Sequence, residues 1–97
     1  MKVILLEPAL DELTKARDYY LKHASARIAA SFLEQFNSTA ALILAHPSLG
    51  KPISRRLRSI SVNHFPYSVI YRITSESIIV QAVAHQRRRP AYWAKRR

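Results

Sequence analysis

Hydrophobic residues follow a helical period in the first half of the chain and an alternating period after Gly50, the only glycine. A short apolar run over residues 3–6 predicts a strand, and Pro8 suits the first turn of a helix because that turn needs no N–H donor there. The helical period is interrupted at residues 23–24, and Ser25 is a suitable N-cap for a second helix. The first half therefore predicts a strand followed by an antiparallel helical hairpin.

Three segments after Gly50 alternate between apolar and polar residues, which predicts β-strands over residues 56–62, 65–74 and 77–85. We expect the face packed on the helices to carry Phe65, Tyr67, Val69, Tyr71, Ile73, Ile78, Val80, Ala82 and Ala84. The opposite face is expected to carry Ser68, Ile70, Arg72, Ile79, Gln81, Val83 and His85. The predicted fold is α+β, a single domain over residues 1–97 with the order β-α-α-β-β-β. In it, a helical hairpin packs on an antiparallel sheet and a short basic C-terminal tail follows.

Composition excludes several kinds of active site. The chain has no cysteine, which removes thiolate nucleophiles, disulfides and cysteine-based zinc sites. A single glycine cannot form a glycine-rich nucleotide loop. The second half holds one carboxylate, Glu76, so neither a two-metal nuclease site nor a glycosidase pair is available there. The four histidines lack metal-ligand spacing, and we expect neither a metal nor another cofactor.

Charge is distributed unevenly along the chain. Residues 1–50 carry five basic and five acidic side chains, whereas residues 51–97 carry eleven basic ones and one acid, and the net charge is +10. Such a surface suits phosphates, an anionic membrane or an acidic protein. The opening apolar run is too short for a signal peptide, and no apolar run approaches the length of a membrane span, so we expect a cytoplasmic protein.

Two basic segments and one histidine are candidates for chemistry. Residues 55–58 (RRLR) and 87–89 (RRR), with Tyr92 and Trp93 nearby, match the pattern of a nucleic-acid contact with stacking surfaces. The same pattern also fits a solvated charged face whose aromatic residues close the edge of the core. His85 precedes the arginines at a strand end, where it is either a general acid/base for metal-free RNA cleavage or a histidine hydrogen-bonded to the backbone.

Three stretches taken together resemble the RelE/ParE superfamily of bacterial type II toxins, which includes plasmid stabilisation proteins. They are residues 7–13 (EPALDEL) with Tyr19-Tyr20, residues 65–73 (FPYSVIYRI) and residues 83–93 (VAHQRRRPAYW). The likeness covers nearly the whole chain and rests on the order and spacing of these motifs. It implies a small α+β fold with a helical hairpin against an antiparallel sheet, and a partner antitoxin.

The resemblance implies one of two activities. The branch that cleaves messenger RNA on the ribosome carries a base at the position of Arg87, but it also carries cations at positions that align with Ser59, Ser61 and Ser68. Serine cannot neutralise the charge of a developing phosphorane. The chain is therefore more similar to the ParE branch, which is implied to bind and poison DNA gyrase without cutting RNA. The alternative is a RelE-like ribosome-dependent mRNA endoribonuclease, whose catalytic residues would be Arg72, His85 and Arg87.

We expect two contact surfaces on such a toxin. The target is expected to bind Arg87, Arg88, Arg89, Tyr92, Trp93, Arg96 and Arg97. The antitoxin is expected to cover Ile70, Arg72, Ile79 and Val83, because a monomer has little reason to expose three aliphatic groups beside cations. An acidic, disordered C-terminal segment of the antitoxin would bury the aliphatic groups and pair with the cations in a toxin–antitoxin hetero-oligomer.

Overall fold

The computed structural model describes residues 1–87 and 92–96. In chain order the elements are β1 (Lys2–Leu5), α1 (Glu7–His23), α2 (Ala26–Ala45), a 3-10 turn (Pro47–Leu49), β2 (Lys51–Pro52), β3 (Arg58–Ser61), β4 (Tyr67–Ile73) and β5 (Ser77–His85). The predicted α+β order of one strand, two helices and then strands is confirmed. β2 is absent from the prediction because its two residues are too few to show an alternating period.

Local signals set the ends of both helices. Pro8 lies in the first turn of α1, as expected of a residue without an N–H donor. At the start of α2, Ser25 Oγ accepts a hydrogen bond from the Ile28 N–H at 3.1 Å. Pro47 follows the end of α2 and begins the 3-10 turn, because the residue before a proline is disfavoured in a helix.

α2 is 20 residues long with a mean hydropathy of 1.2, and by length and composition alone it passes for a membrane-crossing helix. The expectation that no apolar segment approaches this length is therefore too strict. Phe32, Phe36 and Ile43 of α2 are buried against the sheet, which is the environment of a core helix in a globular protein.

The five strands form one sheet in the order β1-β5-β4-β3-β2. All neighbouring strands are antiparallel except β1 and β5, which run parallel. The sheet is therefore mixed, whereas the sequence predicts an antiparallel sheet. The difference arises because β1 pairs with the last strand of the chain, a choice that no local period encodes. β2 lies at the far edge of the sheet, a position in which a strand tolerates a proline such as Pro52.

The main core lies between the helices and one face of the sheet. Its buried side chains are Ala9, Ala16, Phe32, Phe36, Ile43, Val62, Val69, Tyr71, Ile78, Val80 and Val83. The hydroxyl of Tyr71 donates to the Pro47 carbonyl at 2.7 Å and accepts from the Gly50 N–H at 2.9 Å. A Cβ at Gly50 would lie 2.5 Å from that hydroxyl oxygen. The Tyr71 ring therefore packs so closely against the backbone that only glycine fits at this position.

A β-bulge in β5 reverses the predicted faces of its second half. Ile70 pairs with Ala82 and Tyr71 with Val80, so Gln81 is the extra residue. Beyond the bulge, Val83 packs in the core with the helices, whereas Ala82 and Ala84 lie on the opposite face. The prediction that Val83 faces away from the helices is therefore wrong, because one inserted residue moves every later side chain to the other face.

Candidate functional site

The sheet face opposite the helices is covered in part by residues 92–96. Tyr92 and Trp93 pack on a second apolar cluster formed by Leu57, Ile70, Ala82 and Ala84. This cluster includes Ile70, whose side chain is only 2 % exposed. The sequence predicts that the antitoxin covers Ile70, but residues of the chain itself already bury it. We call residues 92–96 the C-terminal segment.

Glu12 of α1 holds the C-terminal segment in place. Its Oε1 accepts hydrogen bonds from Arg96 Nη1 at 2.7 Å and from the Val83 N–H at 3.1 Å. Its Oε2 accepts from the Tyr92 hydroxyl at 2.5 Å and from Arg96 Nη2 at 3.2 Å. The Glu12 and Arg96 side chains are only 13 % and 21 % exposed, so this ion pair is mostly shielded from water.

Glu12 reaches the C-terminal segment at an open edge of β5. β1 pairs with β5 only as far as Val80, and beyond that point no strand formed by residues 1–87 or 92–96 pairs with β5 on this side. Glu12 satisfies the Val83 N–H there, and Arg96 donates to the Gln81 carbonyl at 3.3 Å. The Gln81 side chain, itself 3 % exposed, donates to the Trp93 carbonyl at 2.9 Å. The bulge thus supplies both a backbone and a side-chain contact for the segment.

An apolar cavity of about 480 Å³ lies between the C-terminal segment and strands β3 to β5. Its lining includes Ser59 and Ser68, two of the three serines that align with catalytic cations of the RNA-cleaving branch. The third, Ser61, is paired with Ser68 across the two strands. Gln86 Nε2 donates to Ser61 Oγ at 3.2 Å and to Ser68 Oγ at 3.3 Å. Ser61 and Ser68 therefore share a neutral hydrogen-bonding partner, Gln86, and Ser59 lines the same cavity as Ser68.

The three candidate nuclease residues do not converge. His85 lies opposite Tyr67 at one end of the β4–β5 hairpin, whereas Arg72 lies opposite Ile79 near the other end. Tyr67 and Arg72 are five residues apart along β4, roughly 17 Å in an extended strand. Arg87 is exposed and close to His85 in sequence, but Arg72 lies too far away to act on the same phosphate.

Hydrogen bonding also limits what His85 can do. Its Nδ1 accepts from the Arg87 N–H at 3.1 Å, so the neutral ring carries its proton on Nε2 and presents a donor there, not a base. The ring packs edge-on against Tyr67, with 5.0 Å between ring centroids. Burial, followed by the nearby Tyr20 and Tyr19, raises the pKa of Tyr67, which keeps its phenol protonated at neutral pH.

Cations line the other part of this face. Two concave surfaces, of about 520 Å³ and about 410 Å³, share Arg55, Arg56 and Arg72. Lys95 and Arg96 complete the first surface and Arg58 the second. Arg58 Nη1 donates to the carbonyls of Ser48 at 3.0 Å and Gly50 at 2.7 Å, so this arginine holds the turn before β2.

The structure places the predicted contact residues in several different environments. Of the target-binding set, Tyr92, Trp93 and Arg96 are engaged in holding the C-terminal segment, and Arg87 is exposed. Arg88, Arg89 and Arg97 lie outside the described residues. Of the antitoxin-binding set, Arg72 and Ile79 are partly exposed side by side, whereas Ile70 and Val83 are buried. Their proposed roles in binding stay predictions.

Sequence reasoning missed Glu12 and Gln81. An acid near the start of a helix is normally explained by the helix dipole or by a surface ion pair, and Glu12 carries no local sign of another role. Its partners are 71 to 84 residues away along the chain, and no local pattern indicates such a contact. Gln81 is a polar residue within an apolar strand, which is a signal for a bulge but does not say which residue is extra.

Both the sequence and the fold are similar to those of known proteins. The sequence profile of the family described as "ParE toxin of type II toxin-antitoxin system, parDE" matches residues 3–90. A solved structure titled "Chromosomal ParDE TA system from P. aeruginosa" is similar with a TM-score of 0.76, at 15 % identity over 88 % of this chain and 95 % of that chain. No curated protein sequence matches. At this identity the structural likeness bears on the fold alone.

Proposed function

Because this chain belongs to the ParE toxin family of type II toxin–antitoxin systems, we propose that it inhibits growth by binding and poisoning DNA gyrase in the cytoplasm. The observation that carries this proposal is the neutral surroundings of Ser61 and Ser68, which Gln86 bridges, and of Ser59 nearby. The resemblance aligns these three serines with cations of the RNA-cleaving branch, so we expect this chain to act by binding.

Energetics support binding over RNA cleavage. Phosphoryl chemistry needs positive charge placed where the pentavalent phosphorane develops negative charge, and each missing donor of that kind costs about 3 kcal/mol of transition-state stabilisation. Arg87 directly follows Gln86, which bridges Ser61 and Ser68, but within residues 1–87 and 92–96 no hydrogen bond joins the Arg87 side chain to these serines. Three missing charges leave too little stabilisation for efficient cleavage.

The family implies a cognate antitoxin, and we propose that its acidic, disordered C-terminal segment binds the sheet face opposite the helices. Arg72 and Ile79 are the accessible members of the surface expected from the sequence. An acidic partner would pair with the cations there and would associate quickly through charge attraction. The toxin and antitoxin would then form a hetero-oligomer.

A pair of readouts tests the gyrase proposal. The purified chain is expected to inhibit supercoiling by gyrase and to trap cleaved DNA, while messenger RNA on translating ribosomes stays intact. Arg87→Gln is expected to weaken inhibition, because Arg87 is the exposed member of the predicted target-binding set that the structure describes. Arg27→Gln, an exposed charge on α2, is the control and is expected to leave inhibition unchanged.

The opposite result would overturn the proposal. Cuts at fixed codon positions in ribosome-bound message, with supercoiling unaffected, would assign the chain to RelE-like endoribonucleases. The one structural observation favouring that alternative is the adjacency of His85 and Arg87 at the end of β5.

A further inference from the structure

Three arginines stand between two adjoining concave surfaces on the sheet face opposite the helices. Arg55, Arg56 and Arg72 line both the 520 Å³ surface and the 410 Å³ surface, and Lys95 lines the larger one. Because the two surfaces share these arginines, they lie side by side, and we call the combined surface the basic trough. We define it by Arg55, Arg56, Arg72 and Lys95.

The charges of the basic trough are not neutralised within the described part of the chain. None of its four cations donates a hydrogen bond to, or forms an ion pair with, residues 1–87 or 92–96. No carboxylate appears among the described residues that line the two surfaces. Glu12 is already paired with Arg96, which lines the larger surface. Four like charges held close together repel one another, and a bound anion would remove that repulsion.

The backbone on both sides of the trough is held in position. The loop carrying Arg55 and Arg56 is closed by a hydrogen bond from the Ile53 N–H to the Leu57 carbonyl at 2.9 Å. Ser54 Oγ accepts from the Leu57 N–H at 3.2 Å, which closes the same loop a second time. On the other side, Lys95 belongs to the C-terminal segment that Glu12 holds. The cations are therefore presented by ordered backbone, which lowers the entropy cost of binding.

We propose that the basic trough binds two or more consecutive phosphates of a nucleic-acid backbone. A guanidinium group donates in a fork that matches a phosphate, and arginines shared between two adjoining surfaces suit a ligand whose charge repeats along its length. None of the described lining residues is aromatic, so the trough offers no surface on which a base stacks. It recognises the backbone and is indifferent to sequence.

Arg72 belongs both to the trough and to the surface proposed for the antitoxin, so a nucleic acid and an acidic antitoxin segment would exclude each other there. Over the trough as a whole, an acidic peptide fits less well than a phosphodiester chain does. A peptide that alternates acidic and apolar side chains needs apolar pockets between its charges. The apolar cavity on this face adjoins the trough at Ser54, Leu57 and Ala94, but none of the four trough cations lines it. The described lining of the trough itself is mainly polar or charged. Binding of this kind does not depend on gyrase being the target, because it is a direct contact between this chain and nucleic acid.

Direct binding measurements test the proposal. Fluorescence anisotropy would follow the full chain binding a labelled 20-base-pair duplex of random sequence, a single-stranded RNA of 20 nucleotides and a polyglutamate peptide, at several salt concentrations. The triple variant Arg55→Gln/Arg56→Gln/Arg72→Gln removes three trough charges. The charge-matched control is Lys2→Gln/Lys22→Gln/Arg27→Gln, whose side chains are exposed and lie elsewhere.

The trough variant is expected to make the slope of log K against log salt for the duplex less negative by about 0.9 for each phosphate that the variant no longer neutralises. The control is expected to keep the original slope. Binding of DNA, of RNA or of both through the trough supports the proposal and identifies the source of the phosphates. If the triple variant does not fold, single Arg72→Gln and Arg55→Gln variants replace it. Each is expected to make the slope less negative by about 0.9, the value for one phosphate.

Three results would overturn the proposal. The first is an equal loss of affinity in the control variant, which would show that net charge alone is responsible. The second is an unchanged slope in the trough variant. The third is polyglutamate binding as tightly as the duplex and failing to bind the trough variant, which would assign the trough to an acidic protein segment. Because no gyrase is present, these outcomes are separate from failure of the gyrase proposal.

Discussion

At the scale of single residues, Glu12 joins more distant parts of the chain than its position on α1 suggests. A carboxylate in the first half of α1 ordinarily complements the helix dipole at the surface. Here it accepts four hydrogen bonds, from Val83, Tyr92 and Arg96, and so joins a helix, a strand edge and the C-terminal segment. Its contribution to stability should therefore exceed that of an exposed acid on the same helix.

Glu12→Gln is expected to lower the free energy of unfolding by about 1.5–3 kcal/mol, because it removes charge-assisted hydrogen bonds and leaves Arg96 without its counter-charge. The control is Asp11→Asn, which breaks an exposed pair with Lys15 and should cost no more than about 0.5 kcal/mol. Urea unfolding measures both, and the fluorescence of Trp93 reports separately on release of the C-terminal segment. Equal costs for the two variants would contradict the role assigned to Glu12.

At the scale of secondary-structure elements, the bulge in β5 decides which side chains meet the helices. Alternation correctly places Ile78 and Val80 on the helix side, since both precede the extra residue. Past Gln81 the same alternation puts Val83 and Ala84 on the wrong faces. A bulge depends on how a strand pairs with its neighbours, so a period within one strand does not locate it.

Because of the bulge, substitutions at Val83 and at Ile79 should have different effects, although the alternating pattern places both residues on the same face. Val83→Asp puts a charge into the core at a position that is 1 % exposed, and we expect the protein to unfold or to lose about 3 kcal/mol or more of stability. Ile79→Asp alters a partly exposed side chain next to Arg72, so the fold should persist while antitoxin binding weakens. Circular dichroism and co-purification with the antitoxin check the two effects. A folded, stable Val83→Asp variant would show that the register is different.

At the scale of the whole molecule, the sheet separates two apolar clusters of unequal size. The larger one lies under the helices, and the smaller one is covered by Tyr92 and Trp93. The first cluster contains most of the buried large side chains, such as Phe32 and Tyr71. The C-terminal segment therefore protects a surface, while the hairpin and the sheet provide the stable body.

Ending the chain at residue 91 is expected to preserve the helical circular dichroism signal, because the larger cluster stays complete. It should also increase the binding of a hydrophobic dye, since Ile70 and Ala82 become uncovered. A chain ending at Arg96 is the matched control, because it keeps every hydrogen bond made by Glu12. Loss of helical signal in the shorter chain alone would mean that the C-terminal segment is required for folding of the body.

The candidate site was predictable only in part. The choice of Ser59, Ser61 and Ser68 rests on the family resemblance. Only the strand register shows that Ser61 lies opposite Ser68 and that Ser59 and Ser68 line one cavity. The grouping of Arg72 with His85 was wrong, because two residues on neighbouring strands are close only if their register makes them so. The basic trough joins a loop, a strand and the C-terminal segment, so it appears only when the three are placed in space.

The sequence by itself determined the features that depend on neighbours a few residues apart. These are the helical hairpin with Ser25 as its cap, the strands β3, β4 and β5, and the concentration of positive charge after Gly50. Helical and alternating periods, capping and prolines act over that short range. Tertiary structure alone decided the parallel pairing of β1 with β5, the bulge at Gln81 and the attachment of Arg96 to Glu12. Each of these contacts joins parts of the chain that are far apart in sequence. Whether such a contact forms depends on the other pairings and packings that the rest of the fold allows, so no local pattern predicts it.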